Sequence, residues 1–419
     1  MSTSNGQWSS TVKLMRRTEF RAALLGRTSA TLANAMVPVL IAFAVLQVSH
    51  SVASLGFVLA TGYAPQIAFL LFSGVLADRV SRRTLMLAAT TANLLCQVAL
   101  GLLLVSPLMS IPTLATLAAV GGLASTVFSP AAQGMVREVV PSEMMHEANA
   151  VLRGAQNVAR ISGPALAGLL VATFGVARSC VASTIVLAVA LVFIWRVRLP
   201  DRPLPPNGFW RHLADGWSEF WSRRWLRFTV VAGAISNVAW VIGFDVLGPF
   251  NLSSMPGGAA GWGAVVAGFS AGLIVGSFVV ISWKPRRPLV VGFVGLAGHA
   301  LPLASIGLSA PLPVSIAAAC VAGLGSEIFL LNFTTTIQRE LPPDSIGRVS
   351  SWDMLLSIVP IPFAYLSAQA LQSALGPAKL GLLLATASVA ICLWIIAAPS
   401  TRSMRQPNPS EISSQSGAH

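Results

Sequence analysis

Apolar residues in this chain come in long stretches, each closed by a short cluster of charge, glycine, proline or serine. About 20 such residues in a helix cross roughly 30 Å of hydrocarbon. Twelve stretches are long enough, and the pattern predicts helical spans over 19–47, 52–77, 84–105, 111–136, 147–173, 177–196, 227–250, 260–282, 289–309, 313–338, 348–373 and 377–397. The tightest cuts fall at "SPLMSIP" (Ser106–Pro112) and "SALGPA" (Ser373–Ala378), where Pro and Gly mark turns.

Composition makes the class firm. Of 419 residues, 54% are hydrophobic and only 10% charged, against about 25% charged in an average soluble domain. No soluble core hides that much apolar surface, whereas a bundle in lipid needs only its backbone satisfied internally. The expected fold class is an all-α membrane protein of twelve transmembrane helices.

The positions of Lys and Arg give orientation. One side collects Lys13, Arg16 and Arg17, then Arg79, Arg82 and Arg83, Arg137, and a large group from Arg196 to Arg227. It also holds Lys284, Arg286, Arg287, Arg339, Arg348, Arg402 and Arg405, while the other side has only Arg178 and Lys379. Short cytoplasmic loops retain positive charge, so both termini are expected in the cytoplasm. This topology, rather than nucleic-acid binding, accounts for the net charge of +13. Residues 1–12 are polar and the first apolar run is too long for a cleaved signal peptide.

Several chemistries lack their signature. Cys96, Cys180, Cys320 and Cys392 lie in or beside spans without metal-ligand spacing, and read as packing residues. The chain has no Walker-type phosphate loop, and no nucleophile, base and acid cluster as an enzyme needs. Neither a cofactor nor a metal is expected.

The stretch from Gly122, "GLASTVFSPAAQGMVREVVPSEMMHEANAVL", has a distant echo from Gly323, about 200 residues later. Both carry a Gly-rich start, an Arg-Glu pair (Arg137 and Glu138; Arg339 and Glu340), then Pro and an acidic helix start. Two six-helix halves follow, over 19–196 and 227–397, with a cytoplasmic segment 1–18 and a polar tail 398–419 that reads as disordered. Between the halves lies a linker, 197–226. Trp210, Leu213, Trp217, Phe220 and Trp221 stand there at helical spacing, suggesting an amphipathic helix on the membrane surface; a merely sticky linker is the plainer reading.

Two parallel six-helix repeats resemble the major facilitator superfamily. "GVLADRVSRR" is similar to that family's loop signature between helices 2 and 3: Gly74, Asp78, Arg79, Arg82 and Arg83 match, and Ser81 replaces a Gly. The segment from Phe128 to Leu170 looks most like the bacterial branch of enterobactin exporters and macrolide efflux proteins. The resemblance implies that Asp78 faces the start of helix 11, here "PPDSIGR" with Asp344 or Ser345 as cap, and holds the halves shut on the inside. Gly74 would let span 2 approach a neighbour closely. The arginines would orient Asp78 or meet lipid phosphates. A plain positive anchor would explain the arginines, but not Asp78 and Gly74.

Ionisable groups within spans are costly and mark function. Glu327 lies mid-span 10, Asp245 toward the outer end of span 7, Arg27 in the inner part of span 1, Arg160 mid-span 5 and Asp353 in the inner part of span 11. The resemblance implies that helices 1, 4, 7 and 10 line a central cavity, so Arg27, Asp245 and Glu327 would face it. Glu327 is the preferred proton carrier, since a carboxyl in a low-dielectric cavity is suited to gaining and losing a proton; a static brace with Arg160 is the plainer alternative. Asp245 would attract cations at the outer mouth or simply be solvated. His299 reads as a packed neutral residue on a peripheral span.

Trp240, Phe244, Phe329 and Phe333 are candidate aromatic walls, and Asn237 and Asn332 candidate ligands of a substrate, with core packing and helix-to-helix bonds as the commoner fates. Span 4 lacks the arginine of many drug antiporters. The antiporter pattern of helix 5 is partly kept, with Gly154, Gly163, Pro164 and Gly168 present and Ala167 in place of one Gly. The expected function is proton-coupled efflux of a small amphipathic compound, an antibiotic or other secondary metabolite, by alternating access. Siderophore export and a non-transporting receptor or scaffold are the alternatives. The expected partners are a small-molecule substrate, protons and membrane lipids, with no nucleic acid, and the expected state is a monomer.

Overall fold

A computed structural model describes residues 14–140, 144–197, 209–253, 258–282, 285–402 and 404; within these, some side chains, including those of 70–79, 137, 138, 210–215, 343, 344, 347 and 348, lie outside the description. The described chain is helical. Ten helices are long and apolar enough to cross a membrane, and two of them, Glu147–Arg196 and Val349–Ala397, are each long enough to cross twice. Those two break where the sequence asks them to. Gly175 (φ 78°) and Gly376 (φ 74°) leave helical geometry in the left-handed region that favours glycine, separating span 5 from span 6 and span 11 from span 12. The fold is the twelve-helix, two-repeat membrane bundle.

Most span boundaries follow the hydropathy cuts, as with Thr18–Val48, Val52–Arg79 and Ile111–Val139. At "SPLMSIP" Ser110 caps the next helix, accepting from the Thr113 N–H while Thr113 answers the Ser110 N–H, with Pro112 in the first turn. Three spans are less regular than a continuous helix. Span 7 runs Arg224–Trp240, widens to a π-turn over Val241–Val246 and resumes over Leu247–Ser253. Span 9 tightens to a 3-10 turn at Ala297–His299, between Pro288–Leu296 and Ala300–Gly307. Span 11 begins as Pro343–Ile358 and continues in the helix Pro360–Ala397.

The chain divides into two compact units, Met1–Phe209 with Ser253–Gly263, and Trp210–Leu252 with Ala264–His419. They use the same pairing scheme. In the first, Gly163 of span 5 sits against Ala35 and Leu32 of span 1, Gly122 of span 4 against the Gly62 carbonyl of span 2, and Gly101 of span 3 against Cys180 of span 6. In the second, span 7 packs along the helix Pro360–Ala397. Span 8 meets span 10 at Gly272 and Cys320, and span 9 meets span 12 at Gly307 and Gly381. Small residues set these distances because lipid supplies no hydrophobic drive between helices. Large apolar side chains such as Leu95, Leu102, Phe278 and Phe363 remain exposed, as suits a surface solvated by lipid.

Three basic residues do more than mark topology. A helix leaves its last four carbonyls unpaired at the negative end of its dipole. Arg83 donates to the Trp195 carbonyl (2.6 Å) at the end of span 6, Arg223 to that of Glu340 (2.7 Å) at the end of span 10, and Arg402 to that of Ile396 (2.9 Å) at the end of span 12. Arg223 also pairs with Glu219 (2.6 Å), one turn back on the linker helix Phe209–Ser222. That helix buries Phe220 among Trp225, Leu226, Leu289, Phe333 and Val349, while Trp217 meets Trp352 at 4.6 Å. Trp210 and Leu213 have side chains outside the description.

Two expectations need correction. The helix Pro343–Ile358 is capped by Pro342, with Pro343 in its first turn, so Asp344 and Ser345 stand inside the helix and not at its cap. Proline lacks the N–H that a cap would satisfy and its fixed φ suits the first turn, so it takes the start. Gly154 has open space where a Cβ would stand, so close packing does not account for it, in contrast to Gly163 and to Gly168, which lies against Gly263.

Candidate functional site

Two buried hydrogen-bond networks of the second unit join spans 7, 8, 9 and 10. Span 8 carries Gly268, Gly272 and Gly276 at four-residue intervals, so one face is bare and span 10 closes on it. A Cβ on Gly276 would stand 2.8 Å from the Cβ of Glu327. The next residue, Ser277, therefore reaches the Glu327 carboxyl: its hydroxyl lies 2.9 Å from Oε1 and 3.2 Å from the Leu273 carbonyl. Glu327 is only 6% exposed. One hydroxyl between a carboxyl and a carbonyl serves either state of the acid. It donates to the carboxylate, or turns its hydrogen to Leu273 and accepts from the protonated acid.

Beside Glu327, Ser326 belongs to a second network. Its hydroxyl donates to the Ala322 carbonyl (2.8 Å), leaving its lone pairs for Nε2 of His299 at 2.7 Å. Nε2 then carries an N–H toward Ser326, and Nδ1 lies 3.4 Å from the Ser236 hydroxyl. The ring lies against Trp240 (centroids 4.3 Å), which stacks on Phe244 (4.1 Å) and meets Phe269 (5.0 Å). His299 is packed as expected, and it ties spans 7, 9 and 10 together. Replacing it by Ala should cost about 2–4 kcal/mol, through a cavity and two hydroxyls stripped of a partner. Scanning fluorimetry in detergent should show a lower melting temperature; an unchanged one would remove the brace.

The remaining candidates are placed as follows. Asp245 sits on the π-turn of span 7 and accepts from the Tyr365 hydroxyl at 3.2 Å; π-turns often accompany functional residues. Asp353 is half-buried with a bond from Ser357 one turn on. Asn237 is half-buried, whereas Asn332 spends its amide on the Ile328 carbonyl (2.8 Å) of its own helix. Phe329 and Phe333 stack on each other (5.7 Å) and pack with Phe293 and the linker-side core. In the first unit Arg27 is buried against Gln156, and Arg160 is exposed and donates to Asn157 (2.9 Å).

Of the loop motif, Arg83 caps span 6 as described, and Ser81, which replaces a Gly, caps span 3 by accepting from the Thr84 N–H (3.2 Å). Gly74, Asp78 and Arg79 stand on the last turns of Val52–Arg79, with side chains outside the description. Gln156, Ser236, Phe269, Ser277, Ser326 and Tyr365 were not singled out by sequence. The four-residue glycine spacing of span 8 was the available signal for Ser277, since it marks the face on which span 10 must land.

Known proteins agree with this architecture. The chain is 27% identical over 349 residues to the enterobactin exporter EntS of Salmonella paratyphi A, covering 79% of this chain and 80% of that one, and equally to EntS of Salmonella typhimurium. A solved auto-inhibited peptide transporter of the POT family superposes with a TM-score of 0.73 at 13% identity, over 93% of this chain and 98% of its own. The nucleoside transporter NupG does so at 0.70 and 12% identity, over 91% and 99%. The sequence profile of the Major Facilitator Superfamily matches residues 23–364. With its two repeats, its loop motif and this match over most of its length, the chain belongs to the major facilitator superfamily of membrane transporters.

Proposed function

We propose that the chain exports a small amphipathic compound from the cytoplasm or inner leaflet in exchange for protons, by alternating access. It lies in the inner membrane with its Lys- and Arg-rich face and both termini in the cytoplasm. The observation that carries the reading is the buried Glu327 beside a hydroxyl that suits both its charged and its neutral form. A carboxyl that only braces the fold needs one fixed partner; a carrier needs an environment tolerant of both states. Export is favoured by the relatives, which are named as exporters.

Siderophore export is the second reading. The printed substrate of those relatives favours it, as does the buried Arg27 of the first unit. The test is made on inside-out vesicles with an acid interior, following an acid-quenched dye as lipophilic antibiotics and a siderophore are added in turn. Dequenching by a compound establishes proton exchange and gives the substrate class. Uptake of a compound without dequenching would replace exchange by uncoupled transport.

A further inference from the structure

Arg27, Arg153 and Arg160 stand well inside their helices in the first unit, and among the described side chains no carboxylate stands beyond the first turns of those spans; Asp78 and Glu138 lie on the last turns of theirs, with side chains outside the description. Arg27 is 7% exposed. With the Gln156 amide turned so that its oxygen faces the guanidinium, that oxygen lies 3.2 Å from both Nε and Nη2. Gln156 stands on span 5 between Arg153 and Arg160, all three within one helical face by their spacing, and both arginines are exposed. The described carboxylates of this unit's spans, Glu19 and Glu147, belong to the first turns of their helices. They lie about 12 Å or more along the axis from Arg27 and Gln156. The second unit instead carries Asp245, Glu327 and Asp353 within its spans, besides Glu340 and Asp344 at helix ends.

A buried guanidinium is expensive unless it meets a counter-charge, and a neutral amide supplies hydrogen-bond acceptance without one. We propose that Arg27 and Gln156, flanked by Arg153 and Arg160, form a subsite for an anionic group of the exported compound, a carboxylate or similar planar oxyanion. The guanidinium fork matches two oxygens at once. On binding, Gln156 exchanges its role: its oxygen yields Arg27 to the anion and its NH2 donates to the same group. The assignment rests on the transporter reading and narrows its substrate to amphipathic anions.

The test is equilibrium binding to purified protein in detergent without a proton gradient, so that failure of proton coupling leaves its result intact. The probes are radiolabelled 1-naphthoate and its neutral isostere 1-naphthamide. The unaltered protein should prefer naphthoate by tenfold or more. Arg27→Gln should abolish that preference, Arg27→Lys should keep part of it, and Arg160→Gln should reduce it by about threefold, as a flanking charge in a partly screened position would. Size-exclusion chromatography checks that each variant is folded; should Arg27→Gln fail to fold, the Arg160→Gln result decides. Absence of naphthoate binding, equal binding of the two probes, or parallel weakening of both by these variants would overturn the subsite.

Discussion

Replacing Glu327 by Gln will abolish substrate-induced dequenching in energised vesicles while leaving exchange of labelled for unlabelled substrate across the same membrane within a few-fold of normal. The amide has the shape of the protonated acid and still meets Ser277, so packing at the span 8 to span 10 contact is preserved. What it lacks is the ability to release a proton. Coupling and rearrangement therefore separate: a substituted carrier locked in the neutral form still rocks with substrate aboard but moves no charge with it. Ser277→Ala should have a far smaller effect, roughly the 0.5–1.5 kcal/mol of one hydrogen bond. Retained dequenching in Glu327→Gln would move the carrier to Asp245 or Asp353, the other carboxyls away from the helix ends of this unit.

The second large effect is on folding. Gly325→Val should reduce the yield of monodisperse protein tenfold or more, read by fluorescence-detected size exclusion. Span 9 and span 10 touch backbone to backbone here: a Cβ on Gly325 would run into the Gly295 carbonyl, and a Cβ on Gly295 would stand 2.8 Å from the Gly325 carbonyl. Ordinary overpacking costs about 1–3 kcal/mol because side chains can shift. Neither helix backbone can give way without dragging its span. Separation of the pair would also draw His299 off Ser326, the residue next to Gly325, and so undo the network that joins spans 7, 9 and 10. Gly154→Ala supplies the contrast, since nothing lies within 4 Å of the position its Cβ would take. A normal yield from Gly325→Val would mean that the two helices do not approach as described.

Much of the site was legible before the fold. Glu327, Asp245, Arg27 and Arg160 stand out as charges within apolar runs, because lipid makes a misplaced charge costly and sequence alone shows the run around it. Their partners were not legible. Ser277, Gln156 and Tyr365 are ordinary polar residues of their spans, and each gains meaning only from a helix 50, 129 or 120 residues away. The aromatic candidates divide for the same reason. Trp240 and Phe244 share a helix face that meets His299, while Phe329 and Phe333 turn to Phe293 and the linker side.

The irregular turns follow a similar division. Gly175 and Gly376 were marked by composition, since a chain reversing between two spans within a few residues needs positive φ and glycine supplies it. Neither the π-turn beneath Asp245 nor the 3-10 turn at His299 has such a marker. Both are local departures in otherwise apolar helix, accommodated by the packing of neighbouring spans.

The sequence by itself determined the number of spans, their breaks, the Lys- and Arg-rich face and the membership of the superfamily. These depend on residues read in order: a hydrocarbon slab of fixed thickness sets the length of each run, and short loops display their charge directly. Only the tertiary structure decided which glycine faces which backbone, that Arg83, Arg223 and Arg402 close helix ends, and that Glu327 shares a hydroxyl with Leu273 while Arg27 meets no described carboxylate. Helices in lipid find each other by close packing and by the few polar atoms they bury. Those contacts join residues far apart in the chain, and hydropathy, which is blind to the direction a side chain takes around its helix, does not encode them.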